Sequence, residues 1–371
     1  MKLSIPDHIL RLKPYVAGKP LEELEREYGI TDAVKLASNE NPLGPSPMAV
    51  KAIQRAVAKM HRYPNSGSYD LIGRLSKRLN INRENIVLGN GSDDIIAMLA
   101  QVLLQAGDEA VLPLPSFLFY DIVIRSFGAT PVGVPLKSHS TDLDGMLACI
   151  NSKTRLVFVN NPHNPTGSLI SRESLEAFIA ALPADIVLVI DEAYIEFVRD
   201  RDCPDSIDYL KSDKIVVGLR TFSKAYGLAG LRIGYGLMPS FLTDLLNRVR
   251  QPFNVNSLAQ EGAIAALEDE DFLANTVALV YDELDFLYAG LDDLAIEYLK
   301  SQANFFLIRV AKSADEVFED LLKQGVIVRS MTPYGYPDCI RVNVGRHHEN
   351  VRLLEALEVV LKKSKPSALE V

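Results

Sequence analysis

Short apolar runs set apart by amphipathic stretches dominate the first two thirds of the chain. They fall at 86–88, 110–112, 131–134, 156–159, 186–190, 215–219 and 231–237, and none alternates with polar residues as a half-exposed strand would. Helix-like segments at 93–105, 117–126 and 173–181 lie between most of them. Strand–helix alternation with strands this apolar predicts an α/β sheet covered by helices on both faces. Such a sheet binds ligands in the crevice outside the carboxyl ends of its strands.

The flanks read differently. The first thirty residues contain Pro6, Pro14, Gly18 and Pro20 and then a charged helix-like run at 21–28, the pattern of an arm laid over something else. An amphipathic helix is predicted at 47–60, with Ser46 as its cap and Pro47 near its start, and a second at 69–79. Beyond Pro239 helical pattern runs from 240 to about 294. Strand candidates follow at 304–310, 326–328 and 339–343, with helices near 314–324 and 347–363, which suggests a smaller α/β domain. The expected division is an arm with part of the small domain at 1–45, a large domain at 46–255 and a small domain at 256–371, its tail from Lys362 frayed.

Composition narrows the classes. The chain has 371 residues with a net charge of -9, which argues against a nucleic-acid-binding surface. Cys149, Cys203 and Cys339 stand far apart in no metal-binding spacing, so neither a disulfide framework nor a zinc site is expected. The start shows no long apolar stretch of the kind that marks a signal peptide, and no run approaches the ~18 apolar residues of a membrane span. A cytoplasmic protein is the expectation.

Chemistry gathers where strands end. After 215–219 come Thr221, Ser223 and Lys224, with Arg232 a short loop later. An amine between hydroxyls, near a guanidinium, suits a covalently held phosphorylated cofactor; an ordinary surface loop is the alternative. Gly89, Gly91, Ser92 and Asp93 lead from a strand into a helix whose first N–H groups would cradle a phosphate. A dinucleotide fingerprint would need a third glycine where Asp94 stands, and a plain tight turn capped by Asp93 competes. Asn164, held before Pro165 in a polar loop, has a fixed direction, unless the loop's asparagines only bond their own backbone. Asp191 follows five apolar residues and needs a partner at the crevice; a metal site or a helix cap are its other readings.

Taken together, these residues carry a resemblance. Asn161-Pro-His-Asn-Pro-Thr-Gly167, Asp191-Glu-Ala-Tyr194 and Ser223-Lys-Ala-Tyr-Gly-Leu-Ala-Gly-Leu-Arg232 resemble the motifs of fold-type I pyridoxal-phosphate aminotransferases. Two amino-terminal stretches, Lys13-Pro-Tyr-Val-Ala-Gly-Lys-Pro20 and Leu36-Ala-Ser-Asn-Glu-Asn-Pro-Leu-Gly-Pro-Ser-Pro47, look like the family's histidinol-phosphate branch. The likeness runs from Leu12 to Gly345. It implies a seven-stranded, mostly parallel sheet with a smaller α/β domain, and pyridoxal 5'-phosphate as the cofactor.

The resemblance also implies roles. Lys224 would hold the cofactor covalently and move a proton, Asp191 would pair with its ring nitrogen, and Asn164 and Tyr194 would bond its ring oxygen. Ser92 and Asp93 main-chain N–H groups, Thr221 or Ser223, and Arg232 would take its phosphate. Tyr63 would reach the phosphate of a neighbouring subunit, making a homodimer with shared sites. Phe117, or else Tyr120, would stack on the ring, with a plain core aromatic as the alternative. Arg341 and Arg329 would grip the anions of histidinol phosphate and of glutamate or 2-oxoglutarate, with Tyr15 and Asn39 at the entrance. The implied activity is transamination between those substrates in histidine biosynthesis. An aromatic-amino-acid aminotransferase, a phosphothreonine decarboxylase and a regulator that keeps the cofactor without catalysis are the other readings.

Overall fold

The structure, a computed structural model, describes residues 3–15, 18–310 and 312–362; beyond Lys362, the tail expected to fray lies outside the described residues. The amino-terminal segment carries helices α1 (Asp7–Leu10) and α2 (Leu21–Tyr28), the short strand β1 (Val34–Lys35), then α3 (Pro47–Ala56) and α4 (Tyr69–Leu79). The Ser46 hydroxyl accepts from the Ala49 N–H at 3.2 Å and caps α3, as its position predicts. That helix ends at Ala56 and tightens into a 3₁₀ turn over Val57–Lys59.

Next come β2 (Ile86–Gly89), α5 (Ser92–Leu103), β3 (Glu109–Leu114), α6 (Leu118–Ser126), β4 (Thr130–Pro135), α7 (Leu143–Ala148), β5 (Thr154–Asn160), α8 (Arg172–Ala181), β6 (Val187–Asp191), β7 (Ile215–Thr221) and β8 (Gly234–Leu237). The strands form one seven-stranded sheet in the order β2-β8-β7-β6-β5-β3-β4. β8 runs antiparallel to its neighbours β2 and β7, and the other pairings are parallel. The alternation of side chains along each strand sends Phe158, Val189, Val217 and Leu219 to one face, under α5 and α6. Val157, Val159, Leu188, Ile190 and Val216 go to the other, under α8. Both faces are dry, which is why the strands read as continuous apolar runs.

Two local departures from the sequence reading have clear causes. The last strand starts at Gly234 rather than near 231, because Ala229–Leu231 form a 3₁₀ turn and Arg232 takes a left-handed φ of 53°. The helix α7 was not expected: it is short, and its definition rests on Asp142, whose carboxylate accepts from the Gly145 N–H at 3.0 Å.

The remaining third holds α9 (Ser240–Val249), α10 (Ser257–Glu268), α11 (Glu270–Asp293), β9 (Tyr298–Leu299), β10 (Phe305–Arg309), α12 (Ala314–Lys323), β11 (Val326–Ile327), β12 (Arg329–Ser330), β13 (Cys339–Asn343) and α13 (His347–Lys362). A four-stranded sheet in the order β12-β13-β10-β9 packs against α11, α12 and α13 around Phe305, Phe306, Leu321 and Leu357. β1 pairs in parallel with β11, placing Val34 beside Val326, so the early segment is built into this unit. The same cluster includes Tyr194 and Ala225 of the large sheet's loops, so the two units close over one another where the large sheet's strands end.

Candidate active site

At the carboxyl edge of the large sheet, β2, β5, β6 and β7 end and the antiparallel β8 begins. Gly89 and Thr221 both stand opposite Gly234, and Asn160 opposite Asp191. One rim therefore receives the turn before α5, the loop after β5, the carboxylate of β6 and the lysine loop after β7.

The turn before α5 forms an anion cradle. Gly91 sits at φ 85°, where any side chain is strained, and a Cβ there would lie 2.6 Å from the Arg232 Nη2, so the guanidinium would have to move. A Cβ on Gly234 would meet the Ser92 N–H at 2.6 Å, so glycine is needed there too. Arg232 reaches the Ser223 hydroxyl and the Asp93 carboxylate, each at 3.3 Å. The free N–H groups at the start of α5, the Ser223 hydroxyl and this guanidinium thus surround one point. Gly91, not Asp93, occupies the cap position of α5, and Asp93 faces Arg232 instead. The Thr221 hydroxyl accepts from the Ser223 N–H at 3.1 Å and braces the turn.

Lys224 projects from this loop and donates to the Ser38 carbonyl at 3.1 Å, its Nζ 5.8 Å from the centre of the Tyr194 ring. Burial, then the nearby Arg341, and Arg232 behind it, push its pKa down to about 8, against Glu40 and Asp93, which raise it. Asp191 is 6% exposed and its partners are neutral: the Tyr120 hydroxyl at 2.6 Å and the Ala193 N–H at 3.1 Å. Burial raises its pKa to about 6. Tyr194, raised to about 12 mainly by burial, accepts at its hydroxyl from the Asn39 amide at 2.9 Å.

On the opposite wall Arg341 comes from β13. It donates to Asn164 Oδ1 at 2.7 Å and to the Ala37 carbonyl at 3.1 Å, while its buried Nε meets no partner among the described residues. Arg329 stands in register with Arg341 across β12 and β13, and its guanidinium lies 5.9 Å from the centre of the Tyr15 ring.

The structure thus brings Ser92, Asp93, Asn164, Asp191, Tyr194, Ser223, Lys224, Arg232, Arg341, Arg329 and Tyr15 to one cleft. Asn39 is there too, but buried behind Tyr194 at φ 56° rather than lining the entrance: its N–H bonds Asn343 and its carbonyl accepts from Asn304. Phe117 precedes α6 and stays partly exposed, whereas Tyr120 is wholly buried beneath Asp191, stacked on Phe158 at 4.7 Å. The Phe117 ring meets that of Tyr120 edge-on, 5.5 Å between centres. Tyr63 is 83% exposed and stacks on Phe253, on the outer surface of this chain. Sequence reasoning passed over Asn160 and Gly234 and considered Tyr120 only as a stacking ring. The register of β5 against β6, which no local pattern reveals, gives the first and last of these their place.

This donor set fits pyridoxal phosphate. The cradle offers N–H groups, a hydroxyl and a guanidinium to a phosphate. A buried carboxylate without a cationic partner suits a protonated ring nitrogen, and a lysine with a depressed pKa lies between them. The sequence profile of the family described as aminotransferase class I and II matches residues 31–358. The chain belongs to that family. A histidinol-phosphate aminotransferase from Desulfotalea psychrophila is 47% identical over 98% of this chain and 97% of its own length. One from Carboxydothermus hydrogenoformans is 46% identical over 95% of this chain and 97% of that protein. Among solved structures, histidinol-phosphate aminotransferase from Sinorhizobium meliloti in complex with pyridoxal-5'-phosphate superposes with a TM-score of 0.90 at 31% identity, covering 97% of this chain and 98% of that one. An aspartate aminotransferase from Thermus thermophilus shares the fold, with a TM-score of 0.83 at 22% identity over 97% of this chain and 100% of that chain.

Proposed function

We propose that this chain is a histidinol-phosphate aminotransferase, moving the amino group between L-histidinol phosphate and 2-oxoglutarate to give imidazole acetol phosphate and L-glutamate. The observation that carries the reading beyond the family is the Arg341–Arg329 pair beside Tyr15. Histidinol phosphate carries a phosphorylated hydroxymethyl where an amino acid carries its carboxylate. Guanidinium groups side by side suit both anions, since a planar fork accepts either oxyanion in two parallel hydrogen bonds. The curated relatives' names support the same substrate.

When bound, pyridoxal phosphate supplies an electron sink for the pair left as a substrate Cα–H bond breaks. The chain's own residues do the rest. Lys224 Nζ, unprotonated above about pH 8, takes the proton from the substrate Cα and returns it to a neighbouring carbon. The Asp191 carboxylate would hold a proton on the cofactor's ring nitrogen. Asn164, whose Oδ1 is occupied by Arg341, turns its amide N–H₂ toward the cofactor's ring oxygen. The Tyr194 hydroxyl, already accepting from Asn39, has its own hydrogen left to donate to the same oxygen. The Ser92 and Asp93 N–H groups, Ser223 and Arg232 bind the phosphate, with Thr221 bracing the turn. Phe117 covers the ring.

Tyr63, far out on the surface, fits a homodimer in which it completes the neighbour's phosphate site. The assignment of 1–45, 46–255 and 256–371 as arm, large and small domains is part of the same reading, supported by the pairing of β1 with β11. No helix among the described residues is long and apolar enough to cross a membrane, and we place the enzyme in the cytoplasm. Half-reaction spectroscopy with histidinol phosphate, phenylalanine and glutamate tests the substrate. Rapid conversion by histidinol phosphate and glutamate is expected. A clear preference for phenylalanine transfers the assignment to an aromatic-amino-acid aminotransferase.

A further inference from the structure

A chain of hydrogen bonds runs inward from the loop after β3 to the Asp191 carboxylate. The Ser116 hydroxyl donates to Asn160 Oδ1 at 2.9 Å, Asn160 Nδ2 donates to the Tyr120 hydroxyl oxygen at 2.9 Å, and that hydroxyl donates to Asp191 Oδ2 at 2.6 Å. All four side chains are buried. Asn160 and Asp191 are register partners across β5 and β6, so their side chains leave the same face of the sheet. Two residues earlier on that face, Phe158 stacks on the Tyr120 ring at 4.7 Å with 16° between the planes. The apolar stack fixes where the ring lies, and the polar layer above it fixes the hydroxyl.

The direction of every hydrogen follows from donor arithmetic. An ionised carboxylate only accepts, so the hydrogen between Tyr120 and Asp191 is the tyrosine's. With its single hydrogen spent, Tyr120 accepts from Asn160, which must then turn Nδ2 toward the phenol and Oδ1 toward Ser116. The second carboxylate oxygen accepts from the Ala193 N–H. The relay is therefore polarised in one sense, ending on the negative charge.

We propose that Tyr120, held by Asn160 and Ser116, is a positioning residue that keeps the Asp191 carboxylate ionised and aimed, and so governs how firmly this chain holds a proton on the bound ring nitrogen. The inference rests on Asp191 being the ring-nitrogen partner. Most of what faces Asp191 opposes its charge. Burial is the largest influence, and Asp93 from α5 and Glu192 beside it add to the rise, while Tyr120 and the Ala193 N–H pull the other way. Tyr194 faces it too, as a neutral phenol. Tyr120 is the side chain that counters that burial.

The test uses the full chain without cofactor. Carboxyl titration of aspartate-labelled protein by carbon NMR, with Asp191→Asn to assign the resonance, reads the midpoint directly. In Tyr120→Phe the Asp191 midpoint should rise by about one unit or more, since a lost charge-assisted hydrogen bond corresponds to at least about a tenfold change in proton affinity. Asn160→Ala should move it the same way by less, and cofactor affinity near pH 7, measured by absorbance, should fall in both. An unmoved Asp191 midpoint in folded Tyr120→Phe overturns the proposal. If that variant does not fold, an unmoved midpoint in both Asn160→Ala and Ser116→Ala overturns it equally. A wild-type chain that takes up no pyridoxal phosphate would sink the proposed activity, while the apo-protein titration would still decide the role of Tyr120.

Discussion

Arg341→Gln is the substitution with the widest consequences. The side chain lies 2.7 Å from Asn164 Oδ1, and its buried Nε has no partner among the described residues, so glutamine removes the cation and the fork together. Two charge-assisted hydrogen bonds to a substrate anion contribute about 1.5–3 kcal/mol each, so their loss costs roughly 3–6 kcal/mol, or about 10²–10⁴-fold in kcat/KM. Both half-reactions should suffer, because an anion occupies the same place in each substrate. A second effect has a definite sign. Arg341 lowers the Lys224 pKa, so its removal raises that pKa from about 8 and moves the rising limb of the pH–rate profile to higher pH. Single-turnover kinetics with glutamate and with histidinol phosphate across pH measure both. Unchanged kcat/KM for both substrates, or a limb that moves to lower pH, refutes the assignment of Arg341 to the anion and of its field to Lys224.

Other substitutions test separate parts of the site. Lys224→Ala should still bind pyridoxal phosphate, yet give no adduct stable to borohydride and no turnover; residual transamination at wild-type rate would remove Lys224 from its role. Gly91→Ala forces a Cβ to 2.6 Å from Arg232 at a φ of 85°, so cofactor affinity should fall at least about tenfold by absorbance titration, and an unchanged affinity would deny the cradle. Mixing Lys224→Ala subunits with Tyr63→Ala subunits should restore activity above either parent if Tyr63 serves the neighbour's site, whereas no gain in a verified mixed dimer contradicts the shared arrangement.

The large sheet was legible because both of its faces are covered: strands such as Val187–Asp191 are apolar throughout and end abruptly in a charge. The helices that cover it show their faces by spacing, as α5 does with Ile95, Ile96 and Leu99 inward and Asp93 and Asp94 in the first turn. β1, β9 and β12 escaped because each is two residues long and none lies in an apolar run like the one at 326–328 that marked β11. Asn39 is expected at the entrance of the cleft but is buried. Its partners Tyr194, Asn304 and Asn343 are brought to it by the closure of one unit on the other, which no local pattern encodes. Tyr120 was read only as an aromatic, since the hydroxyl's use depends on the β5–β6 register. The buried pair of Arg220 with Glu192, 2.8 Å apart, joins residues 28 positions apart that only the pairing of β6 with β7 brings together.

The pairing of β1 with β11 has a consequence for the order in which a nascent chain matures. The Asn39 N–H waits for the side chain of Asn343, 304 residues further along, and β1 waits for β11. By the time Leu237 leaves the ribosome the large sheet has all its strands, and Asp191, Lys224 and the turn before α5 are in hand. The Arg341 wall of the cleft is assembled only near the end of synthesis, from the first and last parts of the polypeptide together. A chain released early therefore contains Asp191, Lys224 and the turn before α5 but lacks Arg329 and Arg341.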